Sequence, residues 1–184
     1  MRHFLSLLVL VACVVFLTTG SSADEKAVNK YVGVKMCAPC HKAEKTGNQF
    51  GIWQKSKHAE AYKTLLTDTA NAIAKAKGLK NPAAASPECL GCHTIVADAK
   101  LLDKSFDAKE GVQCEACHGA GSAYRTISVM KDKAKAIDAG LMAYKDDAAI
   151  EKHCRTCHNE KSPTMKEFKF KEMWGKIKHS VPKK

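Results

Sequence analysis

Apolar residues fall unevenly along the chain, and their spacing predicts short helices rather than strands. Behind Arg2 the run from Phe4 to Leu17 is almost wholly apolar, and Thr18, Thr19, Gly20, Ser21, Ser22 and Ala23 follow it. The run is shorter than the roughly 20 residues of a spanning helix. Ser21 and Ala23 form a small-residue cleavage signal before Asp24. Residues 1–23 are therefore expected to be a secretory signal peptide, and 24–184 a single domain. Leu10-Val11-Ala12-Cys13 has the look of a lipid-attachment box, but Val14 to Leu17 prolong the apolar run past it, so Cys13 reads as part of the leader.

Helical periodicity returns further on. Lys57 to Lys77 predicts one helix, with Tyr62, Leu65, Leu66, Thr69 and Ile73 on one side and Gly78 as its stop. Asn81-Pro82 through Pro87 is a linker, and Asp103 to Gly111 a loop. Thr126 to Ala139 predicts a helix stopped by Gly140, and Asp146 suits the cap of a short helix after it. Phe168 to Lys178 predicts the last helix, with Met173, Trp174 and Ile177 inward. No segment alternates like a strand. The expected fold is mainly α, with little or no β.

Composition changes this picture in one respect. Aromatic residues make up only 7% of the 184 residues, while there are nine Cys. Such a chain has little material for a core of its own side chains, and too many thiols for a reduced cytosolic protein. Every Cys after the leader belongs to one pattern: Cys37-Ala38-Pro39-Cys40-His41, Cys89-Leu90-Gly91-Cys92-His93, Cys114-Glu115-Ala116-Cys117-His118 and Cys154-Arg155-Thr156-Cys157-His158. C-x-x-C-H is the c-type haem attachment motif. The two thiols add across the two vinyl groups of one haem, and the next His supplies its imidazole to the iron. Structural zinc does not require a His after every second Cys, and a disulfide framework does not favour four identical short pairs. Four covalently attached haem c groups follow, held by Cys37, Cys40, Cys89, Cys92, Cys114, Cys117, Cys154 and Cys157, with iron on His41, His93, His118 and His158. The motifs start unevenly, at 37, 89, 114 and 154, so the chain is not a tandem solenoid.

The formal net charge is +11. Two propionates on each haem would offset most of it. The charge therefore does not signal nucleic acid, which export also argues against. Outside the motifs the exported part has three His: His58, His153 and His179. Four irons with two His each need four. At least one haem therefore has an open face, a Met, or a ligand from another subunit.

The chain resembles the tetrahaem cytochrome c-554 family of exported electron carriers. The resemblance lies in Cys37 to Leu65, including WQKSKHAEAYKTL, in ECLGCH at 88–93, in GVQCEACHGAG at 111–121, in the fourth motif and in FKFKEMWGKIKH at 168–179. It implies short helices and loops around haems in closely stacked pairs. It also implies that His58 ligates the fourth haem opposite His158, that His179 ligates the third opposite His118, and that the second haem, on His93, has an open face. The family completes its first haem with a His after the third motif, where this chain reads Tyr124-Arg125-Thr126-Ile127-Ser128-Val129-Met130. Met130 is the iron ligand available there. It also lies on a helical face with Ile127, Ala134 and Ile137, the spacing of a core stripe. His153, beside Cys154, has two readings too: a ligand to a neighbouring haem or a propionate partner. Glycines at 119 and 121 suit a backbone passing close to a porphyrin.

The expected function is electron transfer rather than enzyme catalysis. The protein would carry electrons in the periplasm, or otherwise outside the cytoplasm, between redox partners in an anaerobic, nitrogen or metal respiratory chain. The partners would dock through acidic surfaces on its lysines. After leader cleavage it is not expected to be an integral membrane protein. The alternatives are reduction of a small oxide such as nitric oxide at an open haem, or a haem subunit of a larger assembly. Mass spectrometry of the purified protein is expected to show four covalent haems, no free thiol and loss of residues 1–23. Fewer haems, or bound zinc, would refute the motif reading.

Overall fold

The computed structural model describes residues 28–179. The expected leader lies outside them. Ten α-helices are formed among the described residues: α1 (Val34–His41), α2 (Gln49–Gln54), α3 (Ala61–Thr64), α4 (Asp68–Ala76), α5 (Pro87–His93), α6 (Cys114–His118), α7 (Ile127–Met130), α8 (Lys133–Asp138), α9 (Asp147–Cys154) and α10 (Phe170–Ile177). The extended segments meet in a single parallel bridge between Tyr31 and Leu102. The mainly α architecture is the one expected, but its helices are shorter.

Two of the expected helices are each split by an internal cap. Between α3 and α4, Thr67 is extended, and its hydroxyl accepts a hydrogen bond from the Ala70 N–H at 3.2 Å. A threonine that satisfies an otherwise unpaired N–H starts a new helix in place of continuing the old one. The break lets Leu65 bury against Ala74 and Ala83, while Leu66 is left 60% exposed. The single face drawn through both leucines is therefore not formed. Asp132 does the same between α7 and α8, accepting from Ala134 and Lys135. Ile127, 63% exposed, and Ile137, 43% exposed, consequently form no core stripe with Met130, and Ala136 is the residue buried there.

The stops were better legible. Gly78 and Gly140 have φ of +71° and +103°. The residues after them, Leu79 and Leu141, donate back to Ala74 and Ala136 at 3.0 and 2.9 Å. Asp146 caps α9 through the Ala149 N–H at 2.8 Å. The last helix begins at Phe170. There Phe170 stacks on Trp174, with ring centroids 6.4 Å apart. Met173, expected inward, is 39% exposed.

Side chains alone build two small cores. Val34, Trp53 and Ala59 pack with Phe50 and Cys114. Leu65, Ala74 and Ala83 pack with Ala70, Leu79, Cys89 and Leu90, among others. Each core therefore touches a cysteine of an attachment motif.

A strap at residues 53–59 crosses the chain just ahead of α6. The Trp53 indole N–H donates to the Val112 carbonyl at 2.7 Å, and the Val112 N–H donates to the His58 carbonyl at 2.9 Å. Gly111 makes this crossing possible. Its φ of 77° and ψ of −147° are essentially reserved for glycine. A Cβ there would stand 2.5 Å from the His58 carbonyl oxygen. Gly111→Ala is expected to destabilise the fold by about 1–3 kcal/mol, the usual range for strained backbone. A lowered midpoint in chemical denaturation is the readout, and an unchanged midpoint would refute the tight crossing.

Candidate haem centres

Each attachment motif sits on a helical turn. α1, α5 and α6 carry the first three, and α9 ends at Cys154 and hands the fourth to a turn, in which Cys157 and His158 donate back to the Cys154 carbonyl at 3.2 and 2.9 Å. Thiols at i and i+3 with an imidazole at i+4 share one side of such a turn, which is why a two-residue gap works.

The tertiary structure then joins the motifs in pairs. Two side chains from around the third motif hold the segment that leads into the first. Gln113, 1% exposed, accepts from the Val34 N–H at 2.7 Å and donates to the Asp107 carbonyl at 2.8 Å. Glu115, 2% exposed, accepts from the N–H groups of Val32 at 2.9 and 3.1 Å, Gly33 at 2.7 Å and Gly121 at 2.7 Å. The Cys37 and Cys114 thiols are in hydrogen-bond contact as a result, and the Cys37 thiol is pushed up mainly by that bond and by burial. The second motif meets the fourth in the same way. Cys92 and Cys157 share a hydrogen bond, and the Cys157 sulfur lies 3.9 Å from the Gly91 carbonyl.

The third and fourth motifs join the two pairs. His153 Nε2 lies 3.0 Å from the Ala116 carbonyl, and the Tyr144 hydroxyl donates to the Cys117 carbonyl at 2.8 Å. The Tyr144 and His153 rings are 5.3 Å apart. Burial pushes the Tyr144 phenol up to about 12, so it stays a neutral donor. The Cys117 thiol, pushed up to about 11 by burial, feels the Cys154 and Cys157 thiols. The motifs thus adjoin in the order first, third, fourth, second.

Two histidine pairs stand out. His58 faces His158 with ring centroids 6.1 Å apart and planes inclined at 53°. His118 faces His179 at 5.9 Å and 42°. Two metal–imidazole bonds of about 2 Å each would set the ligating nitrogens about 4 Å apart, and the two ring radii account for the remainder of these separations. All four rings have lowered pKa values, burial being the largest cause. His158 also lowers His58, and His179 lowers His118, through the repulsion of like charges. Neutral imidazole is the form that binds a metal.

The motif histidines are oriented by their surroundings. His93 Nδ1 lies 2.7 Å from the Ala61 carbonyl, and His41 Nδ1 3.2 Å from the Gln49 side-chain oxygen. Such bonds fix the ring and leave Nε2 free for a metal. His158 is held by stacking instead. Phe168 lies 4.7 Å away at 16°, and the Arg155 guanidinium lies over the Phe168 ring, 5.3 Å from its centroid. Among the described residues no second ring faces His41 or His93, and no three His, Cys, Asp or Glu side chains gather as a metal cluster. Thiols two by two on helical turns, with imidazoles two by two between them, are a donor set that fits haem c and not a zinc knot.

Several residues had no signal in the sequence. Glu115, Gln113 and Arg155 carried no role of their own in the motif reading, and Phe168 was expected only as the first residue of the last helix. Gly119 and Gly121 do serve close approach, but to protein. A Cβ on Gly119 would stand 3.0 Å from the Gly140 carbonyl, and one on Gly121 3.0 Å from the Glu115 carboxylate. Met130 lies half-buried at the end of α7.

Residues 36–119, which include the first three motifs, match the family described as cytochrome c554 and c-prime. Cytochrome c-554 of Nitrosomonas europaea is 30% identical over 162 residues, covering 81% of this chain and 66% of that protein. The chain thus spans about two thirds of that relative's length. No solved structure matches it.

The ring geometry carries a spectroscopic expectation. His58→Ala and His179→Ala are each expected to turn one low-spin haem high-spin in the electron paramagnetic resonance (EPR) spectrum while every haem stays attached. An unchanged spin count in either variant would show that its ring pair shares no iron.

Proposed function

The chain belongs to the cytochrome c-554 family, and from that membership we propose that it is an exported tetrahaem cytochrome that carries electrons between redox partner proteins. The observation that carries the reading is the convergence of four attachment turns and two facing histidine pairs in one small helical domain. Haem c supplies an iron that cycles between ferrous and ferric states, at a potential set by its axial ligands and surroundings.

The chain's residues divide the work. The eight motif cysteines anchor the haems, and His41, His93, His118 and His158 are the proximal ligands. His58 and His179 close the fourth and third irons, which leaves those two without a site for substrate. The adjacency of the motifs suggests a path that runs first, third, fourth, second. His153 Nε2 donates to the Ala116 carbonyl and ties α9 to α6, so that ring has only Nδ1 left to offer a metal. Met130 is the preferred donor for the iron on His41, and the loss of the core stripe around it supports this role.

The charge also favours a carrier. The eight ion pairs among the described residues involve exposed side chains, and each is worth only about 0–1 kcal/mol. The lysine excess is therefore not needed for folding, and it suits docking to acidic partners, as in anaerobic, nitrogen or metal respiration. Among the described residues no helix is long and apolar enough to cross a membrane.

Low-temperature EPR of the oxidised protein tests the reading. Three low-spin haems and one high-spin haem, on His93, are expected, together with reversible reduction and no turnover of nitric oxide. Sustained nitric oxide consumption would overturn the carrier in favour of a reductase. Met130→Leu is expected to abolish the weak far-red sulfur-to-iron band, and Met130→His to lower one potential, because a thioether donates less to ferric iron than an imidazole. Silence of both variants would remove Met130 from the ligand set.

A further inference from the structure

Glu115 is a carboxylate where a neutral side chain would serve the fold. It is 2% exposed, and among the described residues it has no cationic partner. Three backbone N–H groups, of Val32, Gly33 and Gly121, donate to it. Every partner is a donor, the arrangement that suits an acceptor-only carboxylate. The nearby Tyr124 hydroxyl donates elsewhere, to the Gly119 carbonyl at 2.7 Å. Two positions earlier Gln113, 1% exposed, performs the same kind of clamp with a neutral amide, holding the Val34 N–H at 2.7 Å. Joining the first motif to the third therefore does not require a charge, although burying one is expensive.

We propose that Glu115 is a redox-tuning residue, whose buried charge lowers the reduction potentials of the haems at the first and third motifs below what their axial ligands alone would set. The carboxylate stands on the turn that carries Cys114, Cys117 and His118, and it is bonded to the segment that opens α1. Reduction adds an electron. A fixed negative charge nearby, in a poorly polarisable interior, opposes that electron and is little screened by salt. Its field reaches both motifs: it adds to the rise of the Cys37 thiol, behind the Cys114 contact and burial, and it opposes the lowering that the Cys37 contact imposes on the Cys114 thiol. The opposing charge on Arg125 is exposed and acts on Cys37 more weakly. The inference rests on the haem reading above, and mass spectrometry of the wild-type protein separates the two: absence of haem refutes the reading itself.

The test is Glu115→Gln in the intact haem protein, followed by potentiometric titration with optical and EPR detection. Haem mass and spin count are checked first. The signal of the third haem is the one lost in His179→Ala. Its reduction equilibrium is expected to shift at least tenfold toward the reduced form, about 59 mV for one electron. The first haem moves the same way, while those at the second and fourth motifs stay in place. Four haems with unchanged potentials, or an equal shift of all four, would overturn the proposal. Should the variant fail to retain its haems, Arg125→Gln decides. Loss of that cation is expected to lower the same two potentials, and no change would overturn the proposal.

Discussion

The arrangement depends on a knot of hydrogen bonds around Gln113 and Glu115. These two side chains bind the backbone of residues 32–34 from the other end of the sequence, and so put the first attachment turn against the third. Hydrogen bonds to a charged group contribute about 1.5–3 kcal/mol each. Removal of one partner from a buried charge costs about 3–5 kcal/mol. The ion pairs among the described residues lie at the surface and contribute less. The apolar cores are small and separate, so neither alone fixes how α1 and α6 meet.

The histidine pairs follow from that knot and the strap it supports. Val112 and Gly111 lead directly into Gln113, and they hold the backbone of His58 by a hydrogen bond and a close approach. The imidazole of His58 is thereby presented to His158, a hundred residues further along the chain. At the other end, His179 comes to His118 from the end of α10, whose Phe170 and Trp174 stack on each other. Phe168, just ahead of α10, packs on the His158 ring. One short segment therefore packs against the histidines of two motifs. A contact that fixes a ring without a hydrogen bond leaves that ring a weaker donor than His93 or His41, whose Nδ1 atoms face an acceptor.

Local chemistry explains where the helices are short. Thr67 and Asp132 each offer a side-chain oxygen to free N–H groups, and a helix that runs through them must forgo those bonds. Periodicity of apolar residues is blind to that competition. It therefore joined α3 to α4 and α7 to α8, and it assigned Ile127 and Ile137 to a core they do not enter.

Some of this was determined by the sequence alone, because it is local. The spacing of Cys, Cys and His puts two thiols and an imidazole on one side of a helical turn wherever it occurs, and Gly78, Gly140 and Asp146 end or begin helices through their own backbone and side-chain preferences. The count of His58, His153 and His179 against four motifs likewise needs no structure. The expected pairing of His58 with His158 and of His179 with His118 came from family resemblance, and the rings do meet. What only the tertiary structure decided is long-range: which motifs adjoin, that His153 uses Nε2 on the Ala116 carbonyl, and that Glu115 is buried with no cationic partner among the described residues. A glutamate between two cysteines looks the same in sequence whether it faces water or three N–H groups. The difference lies in segments some eighty residues away, and no window along the chain contains both.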